Sequence, residues 1–324
     1  MVKKISMSEA IRTALAEEMR RDPNVFIMGE DIGKFGGCFG VTAGLWDEFS
    51  ERIFETPINE FAPALACEGA AVLGKRPVFE IMFGDFLGYC YSAVCLDAPQ
   101  HHFCTGGQLK LPIVYRIAQG GFISSGAHHS NCIEGWVYNH PGLYLLAPST
   151  PADAYGLLKS AIRDDNPVLF LETKAQYAKK DAVPLDEDYT VPIGKAAIIK
   201  EGKDITIVAW QMMRDFVMAA IPELEKQGVS VELIDPRSLV PLDVDTIYSS
   251  VKKTGRLLIV HEHVQRGGIG ESIAANVMKE LWSDLKKPVS VMGRACIPIP
   301  AGTVEACLYP NPATIQAEVE ALMK

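Results

Sequence analysis

ITIVAWQMMRDFVMAAIPELEKQGVSVELI, residues 205–234, decides the fold. Residues 205–210 and 229–234 are short runs rich in Ile and Val, the composition of a strand. Between them the spacing predicts a helix near 215–227. A strand, a helix and a second strand of this kind make a parallel pair, because the helix carries the chain back across the sheet. The pattern continues downstream with a helix near 243–252, RLLIVH at 256–261, a helix near 271–282 and VSVMG at 289–293. Upstream, the apolar runs VFIM (25–28), PVFEIMF (77–83), LPIVYRI (111–117), LYLLA (143–147) and PVLFLE (167–172) read as further strands. Strands that are apolar on both faces imply parallel sheets covered on both sides.

The helices between the upstream strands carry end signals. Ser6 and Glu9 form a capping box before Met7, Ile11, Ala14, Leu15 and Met19, which fall on one face. Asn59 caps a segment running to about Leu73, with Gly74 beyond it. Phe86 to Cys104 reads as a long helix that Pro99 should kink or end. Thr150-Pro151 opens another in the preferred cap-then-proline order. The charged stretch KAQYAKKDAVPLDEDYTVP, 174–192, carries two prolines and shows no period. It reads as a linker centred on 176–190. The expected fold class is therefore α/β, two domains with parallel or mostly parallel sheets, 1–175 and 191–324.

Composition narrows the function. The chain has 324 residues, 31 Lys plus Arg against 40 Asp plus Glu, and a formal charge of −9. Apolar residues at 48% suit a globular protein. The acidic balance argues against a general nucleic-acid binder. No stretch approaches the roughly 20 apolar residues that span a bilayer. MVKKISMSEAIRTA at the start lacks an apolar signal core, so the reading is a cytoplasmic protein. The eight cysteines include no CxxC pair and read as buried free thiols.

Isolated motifs are weak. Gly69 to Arg76 superficially matches a phosphate loop, but Arg76 stands where Ser or Thr must hold a metal. Gly267-Gly268-Ile269-Gly270 follows a strand and opens a helix, as a dinucleotide turn would. Its third glycine is missing, which favours a packing turn. No histidine spacing matches a metal site. His128-His129-Ser130 is more informative, because it lies in the Gly/Ser-rich loop 118–131 after a strand, where open α/β sheets bind ligands. Glu60 stands at a helix start, where the dipole alone would favour a carboxylate.

Seven blocks appear in order: GEDIG (29–33), GGCFGVTAGL (36–45), ETPINE (55–60), GAAVLGKRPVFEIMFGDF (69–86), HHSN (128–131), HPGLYLLAPSTPADAYGLLKSAIRDDNPVLFLE (140–172) and IDPRSLVPLD (234–243). Together they resemble the β subunits of the thiamine-diphosphate-dependent decarboxylase components of 2-oxoacid and acetoin dehydrogenase complexes. The resemblance spans Met1 to Lys324. It implies a pyrimidine-binding domain followed by a transketolase C-terminal-like domain, and it assigns roles to residues. Glu60 matches the glutamate that holds the cofactor's pyrimidine N1′. Phe86 matches the aromatic residue packed on the pyrimidine. His129 matches the histidine of an HSQ motif that serves acyl transfer. Glu30 matches an acidic cofactor-side position near a water-filled passage between paired sites. Ile113, Ala161, Ile162, Asp164 and Asn166 fall where the family can hold a structural monovalent cation, with potassium the candidate ion.

The chain contains neither GDG nor NN, the pair by which a self-sufficient thiamine enzyme holds magnesium and diphosphate. The resemblance thus implies an α subunit that carries GDG…NN and the magnesium, an α2β2 assembly, and a lipoyl acyltransferase as acceptor. The motifs depart from the family at Asn131 in place of Gln, at Ser92-Ala93 in place of Asp-Gln, at Pro99 and at Gln119-Gly120-Gly121. Two other functions stay open on the residues: a split transketolase-type or carboligase subunit without lipoyl coupling, and a nucleotide- or flavin-binding module on the 267–270 turn.

Overall fold

A computed structural model describes residues 1–186 and 188–324. In chain order the strands are β1 Val2–Ser6, β2 Val25–Gly29, β3 Ile53–Glu55, β4 Arg76–Ile81, β5 Val114–Gln119, β6 Tyr144–Leu146, β7 Val168–Thr173, β8 Lys180–Pro184, β9 Ala197–Lys200, β10 Ile205–Ala209, β11 Val231–Asp235, β12 Ser238–Val240, β13 Leu257–Val264 and β14 Ser290–Arg294. They form a seven-stranded sheet, β12-β6-β7-β5-β4-β2-β3, and a five-stranded sheet, β14-β13-β10-β11-β9. Only the edge strands β12 and β9 run antiparallel to their neighbours in these sheets. The mostly parallel α/β architecture expected from the apolar runs is present.

Helices cover both faces of the larger sheet. Met7–Arg21 and Pro151–Arg163 pack on one side, and Phe61–Val72 with the segments from Leu87 to Cys104 on the other. Ser6 caps the first helix by accepting the Glu9 N–H at 3.2 Å. The helix Gln211–Lys226 packs with the helix Pro312–Met323 on one face of the smaller sheet. The other face joins a core that runs across both halves, from Phe79, Ile117 and Leu145 to Val208, Trp210, Ile234 and Ile259. Strand β12, from the C-terminal half, extends the N-terminal sheet.

Three local expectations are corrected. The stretch read as a linker contains β8, which pairs antiparallel with β1 in a separate two-stranded sheet, Val2 opposite Pro184. Both strands are mostly exposed and bury chiefly Ile5 and Val183, so neither carries an apolar alternation to detect. The run from Leu87 to Cys104 is helical throughout, and the break expected at Pro99 takes the form of a π-helical turn just before it. Ser92–Asp97 forms a π-helical turn, Ala98 N–H is bonded back to Ala93, and Pro99 falls in the first turn of the helix Ala98–Cys104. A proline lacks the N–H that an α-helical ladder would need there, and the wider π turn just before it is where the ladder is interrupted. The cysteines are free but not uniformly buried: Cys38, Cys104, Cys296 and Cys307 are exposed. Among the described residues no helix is long and apolar enough to cross a membrane.

Candidate active site

Parallel strands point their carboxyl ends the same way, and the loops beyond those ends form one rim. Strands β3, β2, β4 and β5 are consecutive neighbours in the large sheet, all parallel. Glu60 follows β3, Glu30 follows β2, Phe86 follows β4 and His129 follows β5. The topology therefore brings these four sequence-selected residues to one rim from positions spread over a hundred residues.

Glu60 is half-buried and opens the helix Phe61–Val72. Asn59 caps that helix by accepting the Ala62 N–H at 2.8 Å, and the Asn59 N–H donates to Glu30 Oε1 at 2.9 Å. Burial raises the Glu30 carboxyl above its ordinary range, with the charges of Glu60 and Asp31 adding to it and the Asn59 N–H opposing it. Among the described residues no group donates a hydrogen bond to the Glu60 carboxyl.

Beside this carboxyl pair stands an aromatic wall. Phe83 sits at its centre, with ring centroids 5.2 Å from Phe86, 5.6 Å from Phe39 and 4.6 Å from His129. The His129 ring meets Phe86 edge-on at 5.4 Å, and Tyr89, 70% exposed, extends the wall at 5.8 Å from Phe86. Such edge-to-face contacts orient an imidazole without occupying its nitrogens. Neither ring nitrogen of His129 has a partner among the described residues.

The backbone of His129 is held from below. Lys174, buried after β7, donates to the carbonyls of His129 and Gly120, both at 2.6 Å, and lies 5.5 Å from the Phe83 ring centroid. Burial pushes its ammonium below the ordinary lysine value, against the pull of the carboxylates nearby. Groups from the C-terminal half grip the same loop. Glu262 accepts the Gly121 N–H at 2.6 Å, Glu305 accepts the N–H groups of Phe122 and Ser124 at 2.8 Å, and Arg294 donates to Asn131 Oδ1 at 3.0 Å. Sequence reading missed Lys174, Glu262, Glu305 and Arg294. The only signal for Lys174, Glu262 and Arg294 was a place just past an apolar strand; Glu305 had none.

The proposed cation residues lie elsewhere, at the opposite end of β5 and at the end of the helix Pro151–Arg163. Asp164 Oδ1 accepts the backbone and side-chain N–H groups of Asn166, each at 2.8 Å. The carbonyls of Ile162 and Asp164 accept from the Arg76 guanidinium at 3.0 and 2.8 Å. The Ile113 carbonyl accepts the Val168 N–H, and that of Ala161 accepts the Asp164 N–H. Each carbonyl has two lone pairs, so each of these bonds leaves one.

The Gly267–Gly270 turn serves packing. A Cβ at Gly268 or Gly270 would stand 2.8 or 2.7 Å from the buried His261 ring. Gly267 N–H is already taken by Glu271 at 2.9 Å. His261 stays neutral, its value pushed down to about 3 by burial and by His263.

Comparison with known proteins agrees with this architecture. The family described as transketolase, pyrimidine binding domain, matches residues 3–180, and that described as transketolase, C-terminal domain, matches 194–315. The β subunit of the pyruvate dehydrogenase E1 component of Rhizobium meliloti (strain 1021) is 40% identical over 320 residues, 98% of this chain and 70% of that protein. The 2-oxoisovalerate dehydrogenase subunit β of Bacillus subtilis (strain 168) is 39% identical and covers 98% of each chain. The acetoin:2,6-dichlorophenolindophenol oxidoreductase subunit β of Cupriavidus necator is 37% identical over 100% of this chain and 99% of that one. A split-gene transketolase solved as an inactive β4 tetramer superposes with a TM-score of 0.81 at 22% identity over 99% of both chains, a likeness of fold. Fold and rim define a two-domain chain of the transketolase type. Within that class the chain belongs to the family of β subunits of the E1 components of 2-oxoacid and acetoin dehydrogenases.

Proposed function

We propose that this chain is the β half of a heteromeric thiamine-diphosphate enzyme that cleaves the C–C bond beside a carbonyl. The substrate is a 2-oxoacid, pyruvate or a branched-chain one, or acetoin, and a lipoyl acyltransferase takes the fragment. The observation that carries this reading is the placement of Glu30, Glu60, Phe86 and His129 at the carboxyl ends of four adjacent parallel strands. Residues 1–175, joined by β8 where it returns to β1, form the pyrimidine-binding domain, and 191–324 the C-terminal domain. An α subunit with GDG…NN holds magnesium and the diphosphate in an α2β2 assembly. Free, partly exposed thiols suit the reducing cytoplasm.

The residues present fit the cofactor. Glu60 offers a half-buried carboxyl with no protein donor, suited to a protonated ring nitrogen, and Phe86 offers an aromatic face. When bound, thiamine diphosphate supplies a thiazolium carbon nucleophile. Glu60 shares a proton with pyrimidine N1′. Phe86 covers the ring and excludes water. His129, its nitrogens unpaired, holds or moves a proton at the substrate oxygen. Ile113, Ala161, Ile162, Asp164 and Asn166 hold a potassium ion that braces the helix Pro151–Arg163. Hard oxygen donors suit such an ion.

Co-expression with the α subunit tests the reading. Turnover of pyruvate, 3-methyl-2-oxobutanoate or acetoin with 2,6-dichlorophenolindophenol is expected only with both subunits, thiamine diphosphate and magnesium. Failure of the loaded complex on all three substrates contradicts it.

A further inference from the structure

We propose that Arg294, from the C-terminal half, is a positioning residue for His129 and acts through Asn131. The proposal rests on the reading that His129 meets the substrate. The loop between β5 and the short helix Glu134–Val137 has little regular structure of its own. Phe122 and Ser124 in it adopt left-handed backbone angles, φ 67° and 58°, which ordinary side chains avoid. Its shape is therefore imposed from outside, and much of what imposes it belongs to the other half of the chain.

Among those contacts, Arg294 bonds the side chain of Asn131, two residues from His129. Arg294 as a whole is 5% exposed. Three acceptors fix it: Ala295 O at 3.2 Å, Ile297 O at 2.7 Å and Asn131 Oδ1 at 3.0 Å. A planar fork held at three points has one orientation. Asn131 is equally committed. Its Nδ2 donates to Asp85 Oδ1 at 2.5 Å and to Ala127 O at 2.9 Å, and its backbone N–H donates to Asp85 Oδ2 at 3.2 Å. Asp85 precedes Phe86, against which His129 packs. One amide thus ties the wall, the histidine loop and the C-terminal half together, with His129 two residues away. The HSQ motif carries Gln here, one methylene longer.

The first test reads His129 directly in the full-length chain carrying ¹³C-labelled histidine. His129→Gln identifies its ring resonance, which the rings of Phe83 and Phe86 displace from that of exposed His128. Arg294→Met and Asn131→Ala are each expected to move it toward the His128 position, while the resonances of buried His261 and His263 stay in place. The double variant is expected to match Asn131→Ala alone, because without the amide Arg294 has no contact left through which to act on the loop. The second test uses the α-complemented enzyme with whichever of pyruvate, 3-methyl-2-oxobutanoate and acetoin it turns over fastest. Arg294→Met should lower kcat, by up to about 10²-fold as for an ångström-scale misplacement, with KM unchanged. An unmoved His129 resonance in Arg294→Met, or additive shifts in the double, overturns the proposal. Wild-type turnover by His129→Gln instead overturns the reading of His129 and leaves the positioning result standing.

Discussion

Glu30 Oε1 accepts the backbone N–H of Asn59 at 2.9 Å, which ties the end of β2 to the residue before Glu60. Two carboxyl groups from adjacent strands are thereby held on one rim. Burial and the neighbouring charges of Glu60 and Asp31 raise Glu30 above the ordinary carboxylate range.

That shift has a signed consequence. The folded state binds the Glu30 proton more tightly than the unfolded state, so stability falls as pH rises through the window between the two values. Glu30→Gln removes the charge and keeps an acceptor for the Asn59 N–H. The melting midpoint of the variant should exceed wild type at about pH 8 and lose that advantage at about pH 4, where Glu30 is protonated in both states. A variant that melts below wild type at the higher pH would show that the charge is stabilising.

Arg116 is buried between two carboxylates, 2.6 Å from Glu80 and 2.6 and 2.7 Å from the two oxygens of Glu172. Tyr177 O–H donates to Glu172 as well, at 2.7 Å. Arg116→Met would leave two buried carboxylates without their cation. Removing one partner from a buried ionic cluster costs about 3–5 kcal/mol. Urea unfolding should show a loss of that size, and a loss below about 1 kcal/mol, the worth of an exposed pair, would mean the charges are solvated.

The absence of GDG and NN from the sequence gives the third expectation. Calorimetry of the purified chain with thiamine diphosphate and magnesium should show no tight binding. Addition of the α subunit should restore it. Micromolar binding by this chain alone would mean that the diphosphate site is complete without a partner.

Potassium should raise the melting midpoint of the assembled complex relative to tetramethylammonium at equal ionic strength. The larger ion cannot enter a turn built from backbone carbonyls and Asp164. Identical midpoints in the two salts would mean that the turn needs no cation beyond Arg76, bonded to Ile162 O and Asp164 O, and Lys110, paired with Asp165.

Most of the parallel strands were readable because they are buried on both faces and so appear as unbroken apolar runs, as in Val168–Thr173 and Ile205–Ala209; the three-residue β3, exposed at two positions, was not. Strands β1, β8 and β9 were not, because each has exposed or half-exposed positions and leaves no period. Glu30, Glu60, Phe86 and His129 were legible through ordered motifs. The groups that shape the His129 loop were not. Lys174 lay in a stretch that looked like a linker, and Glu262, Arg294 and Glu305 are single residues far from that loop in sequence. Only the packing of the two halves brings them to it.

The central claim is that Glu60 activates the cofactor. Its carboxyl has no protein donor among the described residues, so removing it should leave the fold intact; a helix-start carboxylate contributes only about 0.3–1 kcal/mol through the dipole. A positioned proton-transfer group is worth about 10²–10⁴ in rate. The direct measurement is hydrogen–deuterium exchange at C2 of the bound cofactor in the α-complemented Glu60→Ala enzyme, quenched and read by NMR, with assembly checked by gel filtration. Exchange slowed by about that factor in an intact complex is the expected result. Exchange at the wild-type rate would leave Glu60 as a helix-start carboxylate and contradict the account.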